Sequence, residues 1–140
     1  MSIGPIVPYL SVEDPSPDVS VQSFFVGSGS VAAGDAVTFY SPAGFPAGFS
    51  LVVKAESGSP VIGVAQSAQS ASGSVGVIVG GYAASASCSG SVTAGAFLIA
   101  GATAGQLKPI AASDTVPPCA VALGSVSGGK APVWVWSLLS

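Results

Sequence analysis

Charge is what this sequence has least of. Its 140 residues include three Lys and six acidic residues, and Arg, His and Asn are missing altogether. Without His the usual general base and the imidazole of a Ser or Cys triad are gone. Cys88 and Cys119 alone supply neither a zinc site nor a Cys–His nucleophile. Of the acids, Glu13 and Asp14 sit together among prolines and the rest are scattered, which makes a catalytic carboxylate pair a poor fit. The expectation is a non-enzyme with no catalytic residue, cofactor or metal. A net charge of −3 with so few cations also argues against nucleic acid, because phosphate binding draws its affinity from several Lys or Arg contacts.

Long apolar runs are missing too. The most apolar stretch, Val75 to Ala84, contains three glycines and is half the ~20 residues a spanning helix needs, so no membrane partner is expected. The start of the chain lacks the Lys/Arg and continuous apolar segment of a secretory signal, which predicts synthesis and retention in a cytoplasm. Cys88 and Cys119 are then expected as reduced thiols, with a disulfide between them the less favoured alternative.

What is abundant is Gly (19), Pro (11), Ser (24) and Val. Gly and Pro punctuate short Val-rich runs, which is strand material, and nothing reads as a long helix. The length suits one domain. A surface made largely of Ser and backbone is prone to association, so a partner-covered surface is expected.

One stretch occurs twice. Ser30-Val31-Ala32-Ala33-Gly34-Asp35-Ala36-Val37 returns as Ser91-Val92-Thr93-Ala94-Gly95-Ala96-Phe97-Leu98, 61 residues on. Pro60 to Ala65 is answered by Cys119 to Gly124 at an offset of 59, and Val75 to Val79 by Ala131 to Val135 at 56. Each copy reads as strand, Ala-Gly turn and strand. The pattern predicts an all-β fold, a small β-barrel or sandwich built from two similar halves (about 28–82 and 89–137) that share a core within a domain spanning 20–140. A fragment ending near Ser87 should then be unfolded or aggregated.

Residues 1–19 form a separate arm in this reading. Pro5, Pro8, Pro15 and Pro17 favour an extended chain, and Ile3, Ile6, Val7, Tyr9 and Leu10 favour docking on a neighbour over a solvated tail. Strands are expected over Val19 to Val26, Ala36 to Tyr40, Phe49 to Glu56, Val61 to Ala65, Val75 to Val79, Leu107 to Ile110, Ala120 to Val126 and Pro132 to Leu139. Gln66 to Gly73 is left between a helical turn and a polar loop. Asp35 reads as a turn residue, and Lys54 with Glu56 as an oppositely charged surface face. Phe45, in the Pro/Gly loop Ser41 to Gly48, is a barrel plug or a contact residue. Trp134 and Trp136 share one strand face, either core or an adhesive patch, with core favoured because large aromatics dominate core area. Gly124 to Ala131 matches G-x-x-x-x-G-K but places Ala131 where a magnesium-binding Ser or Thr is required. It reads as a Gly-rich hairpin turn with one solubilising Lys.

The frame S-V-x-A-G-D-x-V, then G-V-A leading to G-S-V-G-V-I-V, then S-V-T-A-G-x-x-L, x-A-L-G and a terminal strand, resembles the small capsid cement (decoration) proteins of tailed bacteriophages over roughly residues 20–137. The near absence of charge and the Pro-rich arm depart from that family's habit. The resemblance implies a non-enzymatic β-barrel-like virion protein, commonly a homotrimer, that sits on the capsid exterior, binds the major capsid protein and bridges neighbouring capsomers. The competing expectation is a bacterial surface or adhesive β module.

Overall fold

The computed structural model describes residues 19–40 and 51–136. They form β1 (Val19–Val26), β2 (Ser30–Val31), β3 (Ala36–Phe39), β4 (Leu51–Lys54), β5 (Gly63–Ala65), β6 (Gln69–Ser70), β7 (Ser74–Ser87), β8 (Phe97–Ala100), β9 (Leu107–Pro109), β10 (Ala120–Ala122) and β11 (Lys130–Val135). No helix occurs among the described residues, so the fold is all-β. The Gln66 to Gly73 segment is a loop carrying β6, which pairs with β2. Residues 1–18 of the arm and the Ser41 to Gly48 loop with Phe45 lie outside the described residues, and Val19 already belongs to β1.

The strand pairings close on themselves. β1 pairs in parallel with β4, β4 with β3, β3 with β5, β5 with β7, and β7 with β1 again, a five-stranded ring. The second half repeats the circuit through β7, β11, β10, β8 and β9. It closes where Cys88 bridges Leu107 in parallel and Ser89 N donates to Leu107 O at 2.8 Å. The molecule is therefore two small barrels in tandem, and β7 belongs to both. Residues 74–79 finish the first ring, and residues 81–88 begin the second, in the place that β1 takes in the first.

The hydrogen bonds make the repeat literal. Gly34 N donates to Ala65 O, and Gly95 N to Ala122 O, each at 2.8 Å. Gly27 N donates to Val52 O as Ser89 N does to Leu107 O, and Val26 N to Gly73 O as Cys88 N does to Gly129 O. The 61 and 56 offsets hold, since Ala36 pairs with Val64 and Val64 with Ile78 as Phe97 pairs with Val121 and Val121 with Trp134. The middle offset is corrected. Gly63 is matched by Ala120, 57 residues on and not 59. A slip of two leaves every side chain on the same face, which is why the alternation did not expose it.

A second correction concerns the core. There is not one core but two clusters, and the second draws on both halves. Phe24, Val26, Val37, Val52, Val75 and Val77 are among those filling the first barrel, and Cys88, Leu98, Leu107, Val133 and Val135 are among those filling the second. Four residues of the first half, Ala36, Ala55, Val61 and Val64, belong to the second cluster. They point out of the first barrel, and their burial couples the two barrels.

Four turns of one type set the strand ends. Asp35 N to Ala32 O, Ser59 N to Glu56 O, Ala96 N to Thr93 O and Gln106 N to Thr103 O each close a four-residue turn whose third residue is a Gly at φ +85 to +92°. This is a type II turn, which needs a left-handed third residue. The turns differ in their surroundings. A Cβ on Gly34 would lie 2.4 Å from Ser85 O, whereas one on Gly58 would meet nothing within 4 Å. Gly58→Ala should cost the left-handed strain, about 1–2 kcal/mol. Gly34→Ala should cost about 1–3 kcal/mol more, because Ser85 backbone must move. Thermal and denaturant unfolding of the two variants checks the difference.

Candidate interaction surface

The side chains with chemical potential converge where the barrels meet. Asp35, only 7% exposed, accepts Ala32 N on Oδ2 at 2.8 Å and Ser87 Oγ on Oδ1 at 3.4 Å, with Lys54 Nζ 3.7 Å from Oδ2. Lys130 Nζ donates to Ala33 O at 2.9 Å and to Ser87 Oγ at 3.0 Å. The backbone joins in: Ser87 N donates to Gly34 O, Ala36 N to Gly105 O and Gly105 N to Ala55 O. Asp35 is thus the turn residue its position suggests and also half of a clasp between the barrels. Gly105 packs so closely that a Cβ there would sit 2.9 Å from Asp35 Cγ.

Other sequence candidates resolve similarly. The G-x-x-x-x-G-K match is a hairpin, with Ser127 N donating to Lys130 O and Lys130 N to Ser127 O around Gly128 and Gly129, both left-handed. Its lysine is a correction: Lys130 is not merely solubilising but holds the barrels together. Lys54 pairs with Asp35, not with Glu56. Among the described residues no group of three or more His, Cys, Asp or Glu is placed to hold a metal. Two open grooves of about 490 and 480 Å3 sit at equivalent places on the barrels, one beside Tyr40, Lys54 and Glu56, the other beside Gly101, Pro109 and Ala111. Repeat-equivalent positions carry unrelated side chains, so barrel geometry and not a shared ligand accounts for both.

Cys88 and Cys119 are buried free thiols. Burial pushes the Cys88 thiol up to about 11, partly offset by Lys130, and the Cys119 thiol up to about 12. They occupy the positions that Val26 and Ile62 take in the first barrel, so they serve as small apolar side chains.

The exposed apolar side chains form the more informative surface. Val133 and Val135 are fully buried, whereas Trp134 and Trp136 are 40% and 38% exposed. The favoured core placement of the tryptophans is therefore overturned, because a five-stranded ring encloses little volume and Val and Ala already fill it. Trp136 stacks on Phe97 with ring centroids 5.9 Å apart, and Phe97 is itself half-exposed. Strand register lines up Phe97, Val121, Trp134 and Tyr82 as neighbours across the outside of the second barrel. Leu123 is exposed beside them, and Phe25 on the first barrel. Sequence reasoning named Ile3, Ile6, Val7, Tyr9, Leu10 and Phe45 as interface residues, and all six lie outside the described residues. It missed Phe25, Phe97 and Leu123; the V-W-V-W alternation was the one available signal.

No family model matches the chain, and no curated protein matches it.

Asp35→Ala leaves Ala32 N and Ser87 Oγ without their acceptor and should cost about 1–3 kcal/mol in denaturant unfolding. The thiols give a pH dependence. Because their folded values lie above the ordinary 9.0, stability should be full below pH 9 and fall between pH 9 and 12, as the unfolded chain releases protons that the folded chain retains. Each thiol should contribute a slope of up to about 1.4 kcal/mol per pH unit. That component should vanish in Cys88→Val/Cys119→Val, measured by unfolding across the same pH series.

Proposed function

We propose that the chain is a non-enzymatic structural subunit that binds the outer surface of a phage capsid as a homotrimer and stabilises it by bridging neighbouring capsomers. The observation that carries the reading is the surface: exposed Phe97, Trp134, Trp136 and Leu123 on a rigid barrel, with few charges around them. Such a patch on a small protein marks a contact with another macromolecule. Among the described residues, Asp35, Ser87 and Lys130 are engaged in the contact between the barrels. The order of repeated motifs resembling capsid cement proteins supplies the kind of partner.

In this reading the arm, residues 1–19, adds a second anchor. Burying two or three of Ile3, Ile6, Val7, Tyr9 and Leu10 would contribute about 1.5–3 kcal/mol each before ordering costs. Many equivalent sites on a shell would multiply that effect. The full chain should cosediment with empty shells of its major capsid protein. Deleting residues 2–18 should weaken that retention and lower the melting temperature of the shells, with little change in unfolding of the free protein. Failure of the full chain to cosediment would overturn the capsid reading; equal retention with and without the arm would overturn the anchor.

A further inference from the structure

The internal repeat provides a template for what covers the exposed face. In the first barrel the outer row runs Val21, Ile78, Val64, Ala36, and in the second the matching row runs Tyr82, Trp134, Val121, Phe97. The Val64–Ala36 end of the first row is covered, at 2% and 0% exposed and within the second barrel's core cluster, with Ile78 partly buried against it, while Val21 at the other end is 43% exposed. The second row is open, with Trp134 40% and Phe97 51% exposed. So the first barrel uses part of this face to seat itself on the second, and among the described residues nothing is seated on the second barrel's copy of it.

The other side of the contact is duplicated as well. The second barrel receives the first through Ser87 and Lys130, which grip the Ala32–Asp35 turn. The repeat places Phe25 and Ser74 at the corresponding points of the first barrel, since Phe25 pairs with Ser74 as Ser87 pairs with Lys130. Phe25 is 51% exposed. In the turn that would be gripped, Thr93, Ala94 and Gly95 are exposed and Ala96 is half-buried against the second core, and a Cβ on Gly95 would meet nothing within 4 Å. Most telling is the exchange of polarity. Inside the chain the buried contact is Ser87 against Asp35; at the equivalent positions both residues are apolar, the exposed Phe25 and the half-buried Ala96. A change on one side alone would leave a buried polar group unmatched, whereas both together suit a dry contact.

We infer that copies of this chain associate head to tail, the Phe97–Val121–Trp134 face and Thr93–Ala96 turn of one copy seating on Phe25 and Ser74 of the next, as a repetition of the contact between the two barrels. The contact is heterologous; it closes a ring, such as the proposed trimer, where its rotation divides the full turn evenly, and otherwise propagates as a filament. This deepens the reading of the chain as a self-associating structural subunit and rests on that part of it.

The test uses the full chain with Phe97→Glu and Phe25→Glu in light scattering. The wild type should run as a multiple of 13.4 kDa, and each variant alone as a 13.4 kDa species. Mixing them should restore a 1:1 complex of twice that mass, because one variant keeps the seating face and the other the receiving face. A patch meeting its own copy across a two-fold axis would leave Phe25→Glu at the wild-type mass and give no rescue on mixing; that result overturns the inference, as does a monomeric wild type. Should either variant misfold, Phe25→Cys/Ala96→Cys decides. Oxidation should link copies covalently while Cys88 and Cys119 stay buried, and a product that remains a single chain overturns the contact. Capsid binding without this association would leave the capsid reading standing alone, and association without capsid binding would do the reverse.

Discussion

β7 serves as a stave in two barrels, and that double duty governs the rest of the molecule. Its first half closes one ring against β1 and its second half opens the next against β11. The changeover comes at Gly80 and Gly81, the latter at φ +100°, where β1 ends its pairing and β11 begins. A side chain at Gly81 would be strained in that conformation. Because the strand is continuous, the barrels lie at a set angle, and the outward face of the first is brought against the second. Ala36, Ala55, Val61 and Val64 are buried for that reason and not because either ring needs them inside.

Charge scarcity takes on a different meaning in this setting. Lys130 and the buried Asp35 act between the barrels, and Lys54 joins them from within the first barrel, so that Lys54, Lys130, Asp35 and Ser87 form one connected cluster. The Ser87–Asp35 bond at the centre of the cluster is buried and gains from the low local dielectric, while the two lysines reach it from the solvent side. Lys108, the third, sits 4.0 Å from Asp114 near the surface and contributes little. What remains outside is Ser, Gly and a few large apolar side chains, a surface with weak electrostatic guidance and strong hydrophobic gain on contact.

Small-barrel geometry also explains which residues are large and where. A ring of five strands leaves an interior that Val, Ala, Leu and Cys fill, so bulk has to go outward. Phe97 and Trp134 are the outward members of strands whose inward members are Leu98, Val133 and Val135, and Trp136 lies on the same side just past the end of β11. In the first barrel the same outward positions are Ala36 and Ile78, small enough to pack under a neighbouring barrel.

Much of this was legible in the chain itself, because it rests on local rules. Gly at the third place of a type II turn, Val-rich runs between turns, and a pattern that recurs in order are properties of short segments. They sufficed for the all-β class, for the two halves, and for β1 at its observed bounds of Val19–Val26. The turns at Glu56–Ser59 and Thr103–Gln106 obey the same rule but have no matching flanks, and so went unread. Period-two alternation separates the two faces of a strand without saying which is inside, so V-W-V-W was equally compatible with tryptophans in or out. Nor does it register a shift of two, hence 59 for 57. Glycine was read as an end to the strand at Val79, whereas β7 runs through Gly80 and Gly81 to Ser87. Ring closure, the separate cores and the clasp of Asp35 with Ser87 join residues up to 97 apart in the chain. They depend on how much volume a ring of five strands can enclose and on where its edges meet, quantities that exist only once the strands are assembled.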